Sequence, residues 1–410
     1  MRRTPFRCGR FARAIDGVPA LLGVLLLIVP LLLFVWDAFG SPVFPRLRYR
    51  TAALKGVVET VPPVPVGWAT LWDGSYQRRA AQGFGALLPI FPDGVRLRNQ
   101  VFYSGFGMSS LTRIVIGKDL TLYEAAYIEE YCHRDLGRFV PAATAWAAKL
   151  RQIQDYYDQL GKVFIYMIAP SKPATYPEGL PPETVCPAPL ADRAGKGPAF
   201  RRILDHAGIR YLDAAALTAK DRAAFPVPLF PRGGTHWGEV GAGLAVEAFA
   251  DDLAKWAPTK RLAPFTMTFQ YTDRPEGIDT DLAGLLNLAI PDFRYRVGLA
   301  NVRGTVPAPL CRPLRLAEVG DSFLLDFNDI LSRIPCRPTI DYFYYYRRSF
   351  LDYVDLSRHY HKLPVDPAFR RRDLTGGADI VLLEETDFLV PGSLHAQALY
   401  DLVIGNHETP

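Results

Sequence analysis

The longest uninterrupted apolar stretch of the chain comes first. Val18 to Trp36 holds nineteen residues without a charge, and at about 1.5 Å per residue such a helix spans a hydrocarbon core of roughly 30 Å. It reads as a transmembrane helix. Downstream, the pattern changes to short alternating elements. From Ser41 to about Arg98 the chain is rich in Pro and Arg without sustained periodicity and reads as a stalk. A strand is predicted over Arg113 to Ile116, a turn over Gly117 to Asp119, and a further segment over Leu122 to Tyr131. Trp146, Leu150, Ile153, Tyr157 and Leu160 recur at three- and four-residue spacing, which predicts a helix over Ala142 to Leu160 with one apolar face.

Val163 to Ala169 is a seven-residue apolar run of the kind a buried parallel strand shows. Helix Ala199 to Ala207, strand Ile209 to Leu212 and helix Glu239 to Trp256 follow. Strand Leu314 to Val319, helix Asp326 to Ile334, strand Ile380 to Glu384 and a terminal helix around His395 to Val403 complete the pass. Strands alternating with helices predict an α/β fold with a parallel sheet flanked by helices. The predicted organisation is a basic tail over 1–17, a membrane anchor over 18–36, a stalk over 37–98 and one domain over 99–410.

Charge sharpens the topology. Residues 1–17 carry Arg2, Arg3, Arg7, Arg10 and Arg13 against Asp16, a net +4 of the total +5. The positive-inside rule keeps this end cytoplasmic and exports everything after Trp36. A cleaved signal peptide shares the basic start, but the apolar run exceeds a usual signal core, which favours a retained anchor. The exported part is close to neutral, so nothing supports nucleic-acid binding. Cys132, Cys186, Cys311 and Cys336 lie on the exported side, where they permit two disulfides in any of three pairings, buried free thiols being the alternative.

Two local features carry candidate chemistry. Gly320-Asp321-Ser322-Phe323 follows a predicted strand and precedes a helix, the position at which a nucleophile meets helix N-terminal N–H groups that serve as an oxyanion hole. Gly234-Thr235-His236-Trp237 enters the helix that begins near Glu239, where a histidine would take a serine proton. Other signals are weaker. Gly105-Phe106-Gly107 lacks the third glycine of a nucleotide loop, since Ser110 stands there. His359 and His361 have no neighbouring ligands at metal spacing. No metal and no cofactor are expected. The run Tyr342 to Tyr346, followed by Arg347 and Arg348, fits either a sugar-binding groove or an alternating strand.

Taken together, these segments resemble the alginate O-acetyltransferase family, the AlgJ/AlgX-like relatives of SGNH hydrolases. The family has an Asp-x-His-Trp motif upstream of Gly-Asp-Ser-Phe, and here His236 precedes Ser322 by 86 residues. Ile114 to Asp119 resembles its V-x-G-K-D-G segment, and Ile168 to Pro173 with Tyr176-Pro177-Glu178 resembles its P-x-K-x-x-x-Y-P-E segment. The resemblance implies an SGNH-hydrolase-like domain in which Ser322 attacks an acetyl donor, His236 is general base, and a polysaccharide hydroxyl accepts the acetyl group. It also implies a membrane-bound O-acyltransferase partner that delivers acetyl groups across the inner membrane to the periplasm. Trp237 and Asp321 are expected beside the substrate, and Lys172 in a structural salt bridge.

One position departs from the motif. Gly234 stands where the family has its triad aspartate. Glu239 or Asp213 would be a substitute carboxylate, or the site works as a Ser-His dyad. An esterase, in which water replaces the sugar, and a non-catalytic glycan-binding or scaffold subunit are the rival readings.

Overall fold

A computed structural model of the protein describes residues 24–25, 28–29, 32, 51–56, 65–87, 90–291, 293–345, 348–351, 361–364 and 371–405. Most of the predicted anchor over 18–36, and the basic tail before it, lie outside the described residues. Among the described residues, no helix is long and apolar enough to cross a membrane.

The chain divides into two compact units, Met1–Ser110 with Gly284–Pro291, and Leu111–Ala283 with Asp292–Pro410. In the first unit, the stretch read as an unpatterned stalk is helical in large part: α1 (Trp68–Trp72), α2 (Ser75–Leu87) and α3 (Phe91–Phe106). Asn99 of α3 is buried and donates from its side chain to the Leu286 carbonyl at 2.8 Å, which ties the 284–291 segment to this unit.

The second unit holds the strands β1 (Ile114–Ile116), β2 (Leu122–Glu124), β3 (Val163–Ala169), β4 (Tyr211–Asp213), β5 (Thr266–Thr272), β6 (Val297–Arg303), β7 (Arg315–Gly320), β8 (Thr339–Tyr344), β9 (Arg348–Leu351), β10 (His361–Pro364) and β11 (Ile380–Thr386). Its helices include α4 (Ala125–Cys132), α5 (Leu136–Gln159), α6 (Lys172–Thr175), α7 (Leu190–Ala207), α8 (Ala214–Asp221), α9 (Glu239–Trp256), α10 (Asp281–Leu285, whose last two residues fall in the first unit), α11 (Leu324–Leu331) and α12 (Leu394–Tyr400). Seven strands form one sheet in the order β10-β9-β8-β7-β11-β3-β4, parallel from β8 to β4 and antiparallel at the β8-β9-β10 edge.

Strand β3 shows why this sheet lies between two helical layers. All seven residues are buried, and successive side chains point to opposite faces. Val163, Ile165, Met167 and Ala169 join a core with Phe249 of α9 and Phe327 of α11. Phe164, Tyr166 and Ile168 join a second core with Leu150 of α5, Phe200 of α7 and Leu399 of α12. Strand β11 divides the same way, Leu382 to the first core and Leu383 to the second. A strand covered on both faces has no polar alternation, which is why it appeared in the sequence as an unbroken apolar run.

Several boundaries differ from the sequence reading for identifiable reasons. Helix α5 begins six residues before the predicted Ala142, and α7 nine before Ala199; each contains a proline, Pro141 and Pro198, immediately before the predicted start. Both helices tolerate it. In α5 the Asp135 side chain accepts from the Gly137 and Arg138 amides, so the capped first turn carries the helix past Pro141. The antiparallel pair β5 and β6 had no counterpart in the reading, although Met267, Phe269 and Tyr271 alternate with polar residues along β5. The cysteines pair as Cys132–Cys186 and Cys311–Cys336, one of the three combinations open to them.

Replacing Phe249, which is fully buried against Phe327 at a centroid distance of 5.6 Å, is expected to cost roughly 3–5 kcal/mol as Phe249→Ala. Chemical denaturation followed by circular dichroism checks this; an unchanged midpoint would show that the α9 face is not part of the core.

Candidate functional site

Ser322 sits in the turn between β7 and α11, at the carboxyl edge of the parallel sheet. Its surroundings fix that turn tightly. The Asp321 amide donates to Glu384 Oε2 at 2.8 Å, Asp321 Oδ1 accepts from the Phe323 amide at 2.9 Å, the Thr386 hydroxyl donates to Asp321 Oδ2, and the Tyr342 hydroxyl donates to the Asp321 carbonyl. Gly320 is required here by close approach, because a Cβ at that position would meet Glu384 Oε2 at 2.7 Å and Leu324 Cδ1 at 2.6 Å. Among the described residues no acceptor takes the Ser322 amide hydrogen, which leaves it available to an oxyanion.

The structure brings His236 to this serine from 86 residues away, with Nε2 at 2.6 Å from Ser322 Oγ. Nδ1 of the same ring lies 2.6 Å from Oδ2 of Asp281, the first residue of α10. The other Asp281 oxygen accepts from the Thr235 amide at 2.9 Å and from the Leu282 amide at 2.6 Å, so the carboxylate is held on the residue beside the histidine as well as on its ring. Burial disfavours the imidazolium, but the hydrogen bond and charge of Asp281, with Asp326 and Asp321 farther off, outweigh it and raise the His236 pKa above its ordinary 6.5.

Asp281 was not among the carboxylates weighed from the sequence. Glu239 faces elsewhere: it binds Arg333 at 2.8 Å and accepts from the Ala300 amide. Asp213 caps α8 through the Ala216 amide and pairs with Arg201 at 2.8 Å. The place of the missing motif aspartate is physically occupied. A Cβ on Gly234 would lie 2.7 Å from the Ile278 carbonyl oxygen and 3.2 Å from that of Asp279. The segment that fills this space is the one that delivers Asp281, and no spacing rule relative to His236 announces it.

Two other predicted site residues are placed differently from expectation. Trp237 is fully buried, donates from Nε1 to the Phe323 carbonyl at 3.0 Å and packs edge-on against the Phe323 ring, so it offers no face to a sugar. Asp321 is also buried, with the bonds described above, and it shapes the nucleophile turn rather than facing a substrate. The end of the tyrosine run is tied to the turn that carries Ser322. The Tyr345 backbone adopts φ 45°, and its amide donates to the Gly320 carbonyl at 2.8 Å. Tyr127 stacks on Phe388 at 4.3 Å. Within the tyrosine run, Tyr342 and Phe343 are buried as strand alternation requires, and only its end reaches the site. Glu124, at the start of α4, senses both His236 and Asp281; burial raises its pKa, opposed by His236.

Lys172 makes no carboxylate bond in place of the expected salt bridge. Its Nζ donates to the carbonyls of Pro231 and Gly234 at 2.7 Å and of Leu122 at 2.8 Å, with Arg232 at 3.3 Å. Among the described residues, no cluster of His, Cys, Asp and Glu would hold a metal ion.

A serine, a histidine and a carboxylate are thus bonded in sequence at the carboxyl edge of a parallel sheet in an SGNH-like α/β fold, the order of groups that a serine nucleophile would need. Residues 114–303, a little under half of the chain, match the family described as "SGNH hydrolase-like domain, acetyltransferase AlgX". The matched span includes Lys172, His236 and Asp281 and ends before Ser322. Solved structures similar to this one include the O-acetyltransferase domain of Pseudomonas putida AlgJ, at 17% identity over 71% of this chain and 98% of that one, with a TM-score of 0.46. Pseudomonas aeruginosa AlgX is similar at 15% identity over 71% and 66%, TM-score 0.43, and Bacillus cereus PatB1 at 11% over 69% and 98%, TM-score 0.43. No curated protein matches the chain.

Because backbone already fills the space beside Gly234, writing the motif aspartate back as Gly234→Asp is expected to lower ester cleavage at least tenfold rather than raise it. The rate is to be measured with p-nitrophenyl acetate in parallel with a melting curve. Wild-type rates from a Gly234→Asp/Asp281→Ala double variant would show instead that the motif position is open to an acid.

Proposed function

We propose that the protein is an O-acetyltransferase that moves acetyl groups onto hydroxyls of an exported polysaccharide through an acyl-enzyme on Ser322. The observation that carries this reading is the unbroken Ser322–His236–Asp281 chain, two contacts of 2.6 Å each. His236 Nε2 accepts the Ser322 proton as Oγ attacks the donor's carbonyl carbon. The charge that develops on the carbonyl oxygen falls near the Ser322 amide. His236 then gives its proton to the departing alkoxide or phenoxide, leaving acetyl-Ser322. In the second half a sugar hydroxyl loses its proton to His236, attacks the acyl carbon, and Ser322 leaves with the proton returned to Oγ. Asp281 fixes the Nδ1–H tautomer and stabilises the imidazolium in both halves. Tyr345, whose amide is bonded to the Gly320 carbonyl of the same turn, is a ring on which a sugar would stack.

The location proposed is the periplasmic side of the inner membrane, with the apolar segment 18–36 as anchor and a membrane-bound O-acyltransferase as acetyl source. The two disulfides support an oxidising compartment. No cofactor enters the proposed chemistry. With the carboxylate of Asp281 supplied from α10, the glycine at the motif position no longer argues for a scaffold.

With p-nitrophenyl acetate and the full chain, wild type is expected to release a burst of nitrophenol. Ser322→Ala and His236→Ala should lose at least about 10³-fold, and Asp281→Asn about 10⁴-fold as in other triads. Equal inertness of all four proteins would remove the acyl-enzyme reading. Adding oligosaccharide distinguishes the transferase, which forms acetylated sugar, from an esterase, which forms only acetate.

His236 must be neutral to act as base, so the rate is expected to fall as pH drops through a pKa above 6.5. Removing the Asp281 charge lowers that pKa, so Asp281→Asn should shift the acid limb to lower pH while reducing the plateau. An acid limb that stays in place would mean that Asp281 does not charge-couple to the base.

A further inference from the structure

Lys172 is fully buried, and its ammonium is spent on main-chain carbonyls rather than on a carboxylate. Two of those carbonyls, Pro231 and Gly234, bracket the tight segment that leads into Thr235 and His236. The third belongs to Leu122 of β2, whose own amide donates to the Arg232 carbonyl at 2.8 Å. Strand β2 and the 231–234 loop are therefore drawn onto one cation. The same loop is joined to α10, since the Thr235 amide binds Asp281 and the Gly233 carbonyl accepts from the Ala283 amide at 2.9 Å. An ammonium has three hydrogens and meets three carbonyls at 2.7–2.8 Å. A neutral amine has two and can serve only two of the three carbonyls, although the Pro231 carbonyl also accepts from the Gly234 amide at 3.2 Å.

We propose that Lys172 is a positioning residue of the catalytic site, whose ammonium gathers the Leu122, Pro231 and Gly234 carbonyls and so holds the loop that presents His236 to Asp281 and Ser322, and whose loss of charge releases it. This rests on the acyl-enzyme reading for its kinetic consequence but not for its structural one. Burial lowers the Lys172 pKa to about 7, with Asp281 opposing the fall. The clamp is thus complete on the acid side of that value and weakens as pH rises through it. His236 acts in the opposite sense, becoming a competent base only as pH rises. The two groups thus limit the rate from opposite sides of the pH scale.

The groups that face Lys172 do not reproduce this alkaline limit. Tyr123 of β2, whose ring lies 5.3 Å from Nζ, and Tyr176 after α6 both have pKa values raised by burial above the phenol's ordinary 10. Asp281 and Glu178 are carboxylates, His236 sets the acid side, and Arg232 rests over the Tyr295 ring.

The experiment combines kinetics with proton NMR of the full chain labelled at histidine nitrogen. In wild type, the low-field Nδ1–H resonance of His236 and the burst rate with p-nitrophenyl acetate are expected to decline together above about pH 7. Lys172→Met should lower the burst rate tenfold or more with KM for the ester within twofold, and the alkaline limb should vanish from its profile. A rate that stays flat from neutrality to pH 9 in wild type overturns the proposal, as does a Lys172→Met protein with an unchanged rate or an unchanged alkaline limb. Should Lys172→Met fail to fold, the wild-type titration alone decides. A wild type with no burst dependent on Ser322 would refute the acyl-enzyme instead, and the His236 resonance would still report on the clamp.

Discussion

An imidazole can take a proton from a serine at neutral pH only while its second nitrogen is held and its tautomer fixed. In this protein that task falls to Asp281, and the surrounding architecture is arranged around its bond to His236. The acid does not come from the strand-to-helix loop that carries the base. It comes from the first residue of a short helix 45 residues downstream, and the chain before it passes through the space a motif side chain would need. The triad is thus assembled by packing one loop against another, and the absence of a side chain at position 234 is a condition of that packing.

Parallel sheets place the ends of their strands, and the loops after them, on one edge, and the site follows that rule. Ser322 follows β7, and Lys172 and the 384–388 segment follow or close the neighbouring strands β3 and β11. The segments after β3 and around β1 also meet each other. Gly117 has no room for a Cβ because the Gly179 carbonyl would lie 2.2 Å from it, Lys118 donates to the Glu178 carbonyl at 2.7 Å, and the Tyr123 hydroxyl donates to the Tyr176 carbonyl at 3.1 Å. Two stretches that are far apart in the chain are in this way one structural unit beside the catalytic loop.

Much of the frame was legible in the sequence because it depends on local pattern. The apolar run 163–169 and the helix 239–256 have the bounds their periodicity predicts, and the Gly-Asp-Ser turn falls between a strand and a helix. What was not legible depends on long-range placement. Nothing in the vicinity of Asp281 distinguishes it from Asp279, and only the path of the intervening chain turns one of the two toward His236. Trp237 was misread for the opposite reason: its adjacency to a candidate base suggested contact with substrate, whereas the helix that starts at Glu239 turns the indole inward onto Phe323. The helices α5 and α7 start earlier than predicted, and each runs through a proline, Pro141 and Pro198, that lies just before its predicted start.

The charge balance under the nucleophile follows from burial. Asp321, Glu384 and Glu318 crowd the end of β7, and three ionised carboxylates there would oppose negative charge on the attacking oxygen and on the oxyanion. Burial changes that. Glu318 is pushed up to about 8, and Glu384, buried with Asp321 and Glu385 close by, is pushed well above the usual carboxylate range. Burial thus biases both carboxyls toward the neutral form. Asp321, bound by the Phe323 amide and the Thr386 hydroxyl, keeps its role in the turn. Asp281 lies on the far side of the imidazole from Ser322, where in the proposed reaction its carboxylate would stabilise the proton that His236 gains.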